Sequence, residues 1–284
     1  MSPLMPRFIH RPTSLFLVFV SVLALSACAG GENKPDSDIK SDASVEELYN
    51  GAMDDMNAKN YKTAQKKFED VERLFPYSQW STQAQVMGAY AAYQDLRYDE
   101  AILALDRFLE LHPGHARADY VLYLKAMCYY EQLADVKRDQ HMTALALDAL
   151  DALINRYPES PYAREAKLKR DLTMDHLAGK EMEIGRYYLN RGEHTAAINR
   201  FLAVIRNYQT TTHTPEALHR LVESYVSLGM IDQAIKVAAV LGYNYPGSKW
   251  YQDTFDLLDP SARAQLQDKR SVFKKTIESL LRPD

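Results

Sequence analysis

The sequence contains little cysteine. Two cysteines occur among its 284 residues, Cys28 and Cys128. Cys28 directly follows an N-terminal leader, in a pattern typical of lipidation. Lipidation of Cys28 would leave Cys128 as the only free thiol and exclude an intrachain disulfide. We therefore expect a fold held together by its apolar core. Cys128 is expected to be a small buried apolar residue on a helix and not a reactive nucleophile.

The sequence also lacks the short motifs of common catalytic and cofactor sites. It has eleven glycines and no P-loop, G-x-G-x-x-G or G-x-S-x-G pattern. Its eight histidines form no H-E-x-x-H, and His112 and His115 flank a Pro-Gly turn, where a solvated pair is expected and not a metal site. Adjacent acids such as Asp54 and Asp55 point about 100° apart on a helix and cannot flank one substrate bond. We expect no enzyme, no cofactor and no metal.

The sequence has fewer basic residues than acidic ones, 34 against 38. The formal net charge is −4, and removal of residues 1–27, which carry two arginines and no acid, makes it −6. An acidic chain without a basic patch disfavours nucleic acid as a partner. We also find no alternating β pattern of useful length, and no proline interrupts a periodic segment of the mature chain. These absences favour continuous helices and a protein-binding role.

The N-terminus has a distinct composition. Arg7 and Arg11 precede an apolar run over residues 15–25 that is too short to span a bilayer, so residues 1–27 are predicted to be a signal peptide. The sequence Leu-Ser-Ala-Cys that ends at Cys28 resembles the bacterial lipobox, in which the cysteine carries an S-diacylglycerol and an N-palmitoyl group. Ala29, which is not aspartate, favours transfer to the outer membrane. Cleavage by the general signal peptidase is the alternative. Residues 28–43 have the composition of a flexible tether.

A helical pattern recurs after this tether. It runs from Tyr61 to Pro76. The position that ends the pattern, which we call the stop, recurs at Pro113, Pro158, Gln209 and Pro246, with steps of 37, 45, 51 and 37 residues. An alanine lies twelve residues before each stop, at Ala64, Ala101, Ala146, Ala197 and Ala234. In four repeats the residue five before the stop is bulky and apolar: Val71, Phe108, Val204 and Leu241. With a tetratricopeptide period of about 34 residues, this pattern predicts an all-α, right-handed superhelical solenoid of five helix-turn-helix repeats with C-terminal capping helices.

The repeat pattern divides the mature chain. Repeats one to three are expected over residues 44–158, repeats four and five over 159–258, and a C-terminal helix over 259–284. Repeat three carries extra residues, 134–141, between its helices, and the first helix of repeat four is expected to run from residue 162 to about 189. Gly192 and Gly229 fall where the first helix must reverse, a position that favours a left-handed residue.

The concave face of such a solenoid, lined by the first helix of each repeat, is the expected binding groove. Tyrosine offers a flat apolar surface with a polar tip, which suits an extended peptide. The groove candidates in repeats one to three are Tyr49, Met53, Tyr90, Tyr93, Tyr123, Met127 and Tyr130. Aromatic residues at helical spacing also fill cores, and for each candidate both interpretations stand.

Several segments together resemble the BamD family, the lipoprotein subunit of the outer-membrane β-barrel assembly machinery. The segments are Cys28, Pro76-Tyr77-Ser78, Leu105-Asp-Arg107-Phe108 with His112-Pro113, Asp119-Tyr120 with Tyr123, Arg186-Tyr187-Tyr188-Leu-Asn-Arg191-Gly192, and Ala196-Ala-Ile-Asn199-Arg200. The resemblance covers nearly all of residues 44–258. It implies an N-terminal half that receives the C-terminal strand of unfolded barrel proteins and a C-terminal half that docks the barrel-forming subunit BamA.

By position, the resemblance implies BamA-side roles for Arg191 and Arg200, although both could instead tie repeat four to its neighbour. It also implies other subunits of the machinery as partners, and a lipid-anchored protein that faces the periplasm from the outer membrane. Two alternatives remain: another tetratricopeptide lipoprotein, such as a pilotin that escorts a secretin, and a periplasmic glycan-cleaving enzyme. The enzyme would need a carboxyl group of raised pKa in a cleft.

Overall fold

The structure, a computed structural model, describes residues 44–268. The predicted leader (1–27), the tether (28–43) with its lipidation site Cys28, and residues 269–284 of the predicted C-terminal helix lie outside the described residues. The chain divides into two units, Met1–Ser44 and Val45–Asp284. The helices below all belong to the second unit.

Every regular element within residues 44–268 is a helix. The helices are α1 Val45–Asn57, α2 Tyr61–Leu74, α3 Gln79–Gln94, α4 Tyr98–Leu111, α5 Ala118–Tyr130, α6 His141–Arg156, α7 Ala163–Asn190, α8 His194–Asn207, α9 Thr214–Ser227, α10 Ile231–Asn244 and α11 Lys249–Leu257. A further helix, α12, covers residues 260–268. None of the helices described combines the length and the apolar character needed to cross a membrane.

The helices pack as five consecutive pairs, from α1–α2 to α9–α10, and each pair packs on the next. First helices also contact one another, α1 with α3, α3 with α5, and α9 with α11. The first helices therefore share one side of the stack, as the predicted solenoid requires. The five-repeat prediction is confirmed.

The repeated small residue explains how closely each pair packs. The alanine twelve residues before each stop is 0% exposed in all five repeats. Because alanine has only a Cβ, the second helix can approach the first closely at this point. The bulky position five before the stop is also buried throughout. Leu153 of repeat three is buried in the same way, so the pattern holds in all five repeats and not only in the four predicted.

The second helix of each repeat ends in the same turn. Each ends two residues before its stop, and the residue after the helix has φ near −130° in all five cases, from −130° at Phe75 to −134° at Tyr245. Its N–H bonds the carbonyl four residues earlier, and its carbonyl accepts a bond from the N–H three residues later. Proline suits the second position of this turn because its φ is already fixed. Gln209 occupies that position in repeat four without changing these bonds.

The reversal between the two helices of a repeat uses a left-handed residue. Gly192 and Gly229 have φ of +75° and +72°, as the sequence predicts. In repeats one and two the corresponding turns place Lys59 and Leu96 at φ of 62° and 60°. A side chain in this conformation costs roughly 1–2 kcal/mol, so these two turns are strained where the glycine turns are not.

The long helix α7 begins repeat four. Its 28 residues pack on α6 at one end and on α8 at the other. The extra residues of repeat three, predicted at 134–141, form a loop over residues 131–140 between α5 and α6. This loop lies against the middle of α7: His176 Nε2 is 2.6 Å from the carbonyl oxygen of Ala134, and Lys180 donates to the carbonyls of Lys137 and Arg138 at 3.1 Å. The insertion therefore braces α7.

The last helices cover the end of repeat five. Leu258, Ala262 and Leu266 are buried against α9 and α10. On the other side α11 is tied to α9, because the imidazole Nδ1 of His219 lies 2.8 Å from the Thr254 hydroxyl oxygen. Burial, with a contribution from the neighbouring Arg220, lowers the pKa of His219, so this contact is made by the neutral ring.

Candidate functional site

Six tyrosines from repeats two to four lie close together, and we call them the tyrosine cluster: Tyr90, Tyr93, Tyr98, Tyr120, Tyr123 and Tyr162. The rings of Tyr90 and Tyr93 stack at 6.2 Å between centroids, and Tyr98 lies 5.8 Å from Tyr93. On the next repeat, Tyr162 lies 5.3 Å from Tyr120 and stacks on Tyr123 at 5.1 Å. All six are half-buried. The cluster therefore offers ring surface and hydroxyl groups together.

Burial is the main influence on the hydroxyl groups. It raises the pKa of Tyr93 to about 12 and that of Tyr120 to about 12. Burial also raises the pKa of Tyr123, helped by a hydrogen bond to Glu165. The hydroxyls are thus neutral donors and acceptors at physiological pH, as peptide recognition requires.

A charged pair borders the cluster on α7. Lys169 Nζ lies 4.3 Å from the ring centroid of Tyr130 and 3.7 Å from Glu165, which in turn bonds Tyr123. A cation over a tyrosine ring is attracted by about 0.5–2 kcal/mol. This pair fixes the orientation of both tyrosines at the boundary between repeats three and four.

The predicted groove residues fall into two groups. Tyr90, Tyr93, Tyr123 and Tyr130 are half-buried in or beside the cluster, and Met53 is half-buried on the α1–α2 core. Tyr49 and Met127 are only 9% and 3% exposed. The ring of Tyr49 packs against Phe68 at 5.4 Å and Trp80 at 4.8 Å between centroids. The side chains of Tyr49 and Met127 are therefore part of the core, and little of their surface is left to contact a ligand.

Three members of the cluster were not predicted as groove residues. Tyr98 begins a second helix, and Tyr162 immediately precedes α7, whereas the candidates came only from the first helices of repeats one to three. Tyr120 lies on α5 one turn before Tyr123, so i, i+3 spacing could have identified it. Cys128 is buried, which confirms the prediction of a core residue. Burial also raises the pKa of its thiol to about 12, which disfavours the reactive thiolate.

A network of charged side chains joins the first helices of repeats four and five, α7 and α9. Glu216 accepts two bonds from Arg186, at 2.9 and 2.6 Å, and lies 3.6 Å from Arg220. Arg186 also bonds Glu183 at 3.1 Å, and Arg220 bonds Glu223 at 2.8 Å. This network links α7 to α9, so the surface it forms differs in chemistry from the tyrosine cluster of repeats two to four.

The two arginines predicted for the BamA side have local partners. Arg191 follows α7, bonds the Tyr187 hydroxyl at 3.0 Å and lies 3.3 Å from Glu193. Arg200 on α8 bonds Glu181 on α7 at 3.2 Å. Tyr187 is 57% exposed. Arg191 therefore shapes an exposed aromatic surface, whereas Arg200 ties the two helices of one repeat together.

No group of three or more potential metal ligands occurs among the residues that the structure describes. Among residues 44–268, three carboxyl groups have clearly shifted pKa values, Asp55, Glu216 and Asp259, and all three pKa values are lowered. The glycan-cleaving alternative would need a carboxyl group whose pKa is raised.

Comparison with known proteins agrees with the resemblance in the sequence. A family model described as "YfiO: Outer membrane lipoprotein" matches residues 41–254. The outer membrane protein assembly factor BamD of Caulobacter vibrioides is 44% identical over 279 residues, covering 98% of this chain and 91% of that protein. The BamD of Rickettsia prowazekii is 44% identical over 240 residues, covering 84% and 95%.

Among solved structures, the TPR2AB-domain:pHSP90 complex of yeast Sti1 matches with a TM-score of 0.39 and 11% identity, covering 83% of this chain and 88% of that one. The repeats are established by the helices themselves. The family model and the relatives cover most of the chain at substantial identity. The chain therefore belongs to the YfiO family of outer-membrane lipoproteins, which includes the outer membrane protein assembly factors BamD.

Proposed function

We propose that the protein is a non-catalytic scaffold of the outer-membrane β-barrel assembly machinery. The N-terminal half, residues 44–158, receives unfolded outer-membrane proteins, and the C-terminal half, residues 159–258, docks BamA. The observation that carries this proposal is the change of surface along one side of the stack, from the half-buried tyrosine cluster to the charged network of Glu216. Two different surfaces on one scaffold suit two different partners. No observation favours a secretin pilotin.

The tyrosine cluster is expected to bind an extended segment by apolar contact and hydroxyl hydrogen bonds. Each aromatic contact contributes about 0.5–1.5 kcal/mol beyond its buried area. Lipid anchoring at Cys28 would hold the protein on the periplasmic face of the outer membrane and raise the effective concentration of the scaffold near its partners. The function consists of binding and hand-over, without bond chemistry.

Replacing Tyr93 and Tyr123 by alanine should weaken binding of a peptide copied from the C-terminal strand of an outer-membrane barrel protein by about tenfold or more. Fluorescence anisotropy with the labelled peptide measures this. Tyr77→Ala is the matched control, because Tyr77 is fully exposed in a turn. Equal binding by wild type and the double tyrosine variant would rule out the cluster as the substrate site.

Alanine at Arg191 or Arg200 should leave peptide binding unchanged and weaken co-purification of BamA.

Cys28→Ala should move the protein from the membrane fraction to the soluble periplasmic fraction. Several acyl chains on one cysteine exceed the two anchoring signals needed for stable membrane attachment, and without them only protein contacts remain. Cell fractionation with immunoblotting measures the distribution, and Cys128→Ala is the control because that thiol is buried. A wild-type protein found entirely in the soluble fraction would refute the anchor.

A further inference from the structure

The exposed face of α7 carries an apolar and basic ridge outside the tyrosine cluster. Leu168 and Leu172 are 63% and 61% exposed, and they are the only exposed leucines one helical turn apart among residues 44–268. Arg164 lies one turn before Leu168, and Lys167 flanks the row. We call these four residues the α7 ridge. A single exposed leucine needs no explanation, but an exposed leucine pair extended by a cation forms a continuous surface.

The two cations of the ridge are unpaired. Within the described part of the chain, neither Arg164 nor Lys167 bonds a carboxylate, whereas the neighbouring Arg170 bonds Asp151 at 2.5 Å and Lys169 lies near Glu165. Two acids border this face, and each lies near a cation outside the ridge: Asp171 is 3.6 Å from Arg170 and Glu165 is 3.7 Å from Lys169. The ridge therefore presents free positive charge beside its leucines, although the chain as a whole carries a net charge of −4.

The spacing indicates what kind of partner fits. Arg164, Leu168 and Leu172 are four residues apart and form one i±4 row, the kind of ridge that packs into the groove of a second helix. We propose that the α7 ridge docks an acidic amphipathic helix of another protein, with its apolar face on the two leucines and its carboxylates on Arg164 and Lys167. This site is separate from the proposed peptide groove and does not depend on it.

Two other occupants fit the ridge less well. A second copy docked about a two-fold axis would bring like charges together, which opposes association. Recruitment to an anionic lipid surface usually takes four to eight clustered cations, whereas the ridge has two, with Asp171 one turn beyond Lys167. A contact of this size is weak alone, so it would act together with a second attachment.

The probe is a helical peptide of about 18 residues with leucines along one face and glutamates on both flanks; its counterpart has lysine in place of every glutamate. Wild-type protein should bind the acidic peptide at least about tenfold more tightly than the basic one. The double variant R164E/K167E should reverse this preference, and L168S/L172S should weaken binding of the acidic peptide about tenfold. Isothermal titration calorimetry measures both, and unchanged thermal unfolding shows that the variants are folded.

Controls on other helices separate the ridge from general charge and apolar effects. K62E/K236E removes two exposed cations from α2 and α10, and Leu103→Ser removes a leucine that is 71% exposed on α4. Both should bind the acidic peptide like wild type, and so should the tyrosine-cluster variants. The proposal is overturned if the wild type binds neither peptide, if it shows no charge preference, or if the controls lose binding equally. It is also overturned if R164E/K167E reduces binding to vesicles containing anionic lipid but not to the peptide.

Discussion

Gly185→Ala should destabilise the protein by about 2 kcal/mol, which corresponds to a fall in Tm of roughly 4–8 °C. Gly185 lies on α7 where α8 crosses it, and a Cβ built at this position comes within 3.0 Å of three ring atoms of Phe201. Phe201 is fully buried, so the ring has no solvent to move into. The gain in helix propensity, at most about 1 kcal/mol, is smaller than the cost of overpacking.

A control and a rescue variant test whether the clash with Phe201 causes the loss of stability. At Gly51 on α1 the added Cβ would make an ordinary 3.7 Å contact with Lys67 Nζ, so Gly51→Ala should stabilise the protein slightly. The double variant Gly185→Ala/Phe201→Leu should lose less stability than the sum of the losses in the two single variants, because the smaller leucine makes room for the methyl group. Thermal and urea unfolding measure both effects. A Gly185→Ala protein as stable as wild type would contradict the close helix crossing.

Glu216→Ala should cost about 2–3 kcal/mol. The carboxylate is 13% exposed and contacts two arginines on α7 and α9, so its loss leaves each guanidinium group partly buried with only one acid, Glu183 or Glu223. Removing one partner of a fully buried pair costs 3–5 kcal/mol, and the figure is reduced here because Arg186 and Arg220 are 32% and 28% exposed. Glu193→Gln is the control: that carboxylate is 49% exposed beside Arg191, and its loss should cost at most about 0.5 kcal/mol.

The same carboxylate makes stability depend on pH. Burial alone would raise the pKa of Glu216, but the hydrogen bonds from Arg186 and the charge of Arg220 outweigh burial and hold the pKa below its ordinary value of 4.5. The unfolded chain therefore takes up this proton before the folded chain does as the pH falls. The stabilising effect is fully present above pH 4.5 and decreases below it. Urea unfolding should show a gap between wild type and Glu216→Gln at pH 7 that narrows under acid; a constant gap would contradict the assignment.

The repeats were predictable because their signals are local. Each proline stop sets the backbone of its turn, and each repeated alanine is required wherever two helices cross closely, so both recur at readable positions. Gly192 and Gly229 were predicted for the same reason. Gln209 shows the limit of the rule, because the turn persists without proline when the remaining bonds are unchanged.

The site was only partly predictable because it depends on contacts between repeats. Nothing near Tyr98 or Tyr162 in the sequence shows that their rings lie against Tyr93 and Tyr123. Tyr49 has the same helical spacing as the groove tyrosines, yet Trp80 of the next repeat covers it. The bond between Arg186 and Glu216 joins residues 30 positions apart and has no local signature.

The long helix α7 has a mechanical consequence. A helix of 28 residues is roughly 42 Å long, and this one packs on α6 of repeat three near one end and on α8 of repeat four near the other. The loop at residues 131–140 bonds it near its midpoint and opposes bending there. A force applied to one end of the helix would therefore be transmitted along its length to the other end.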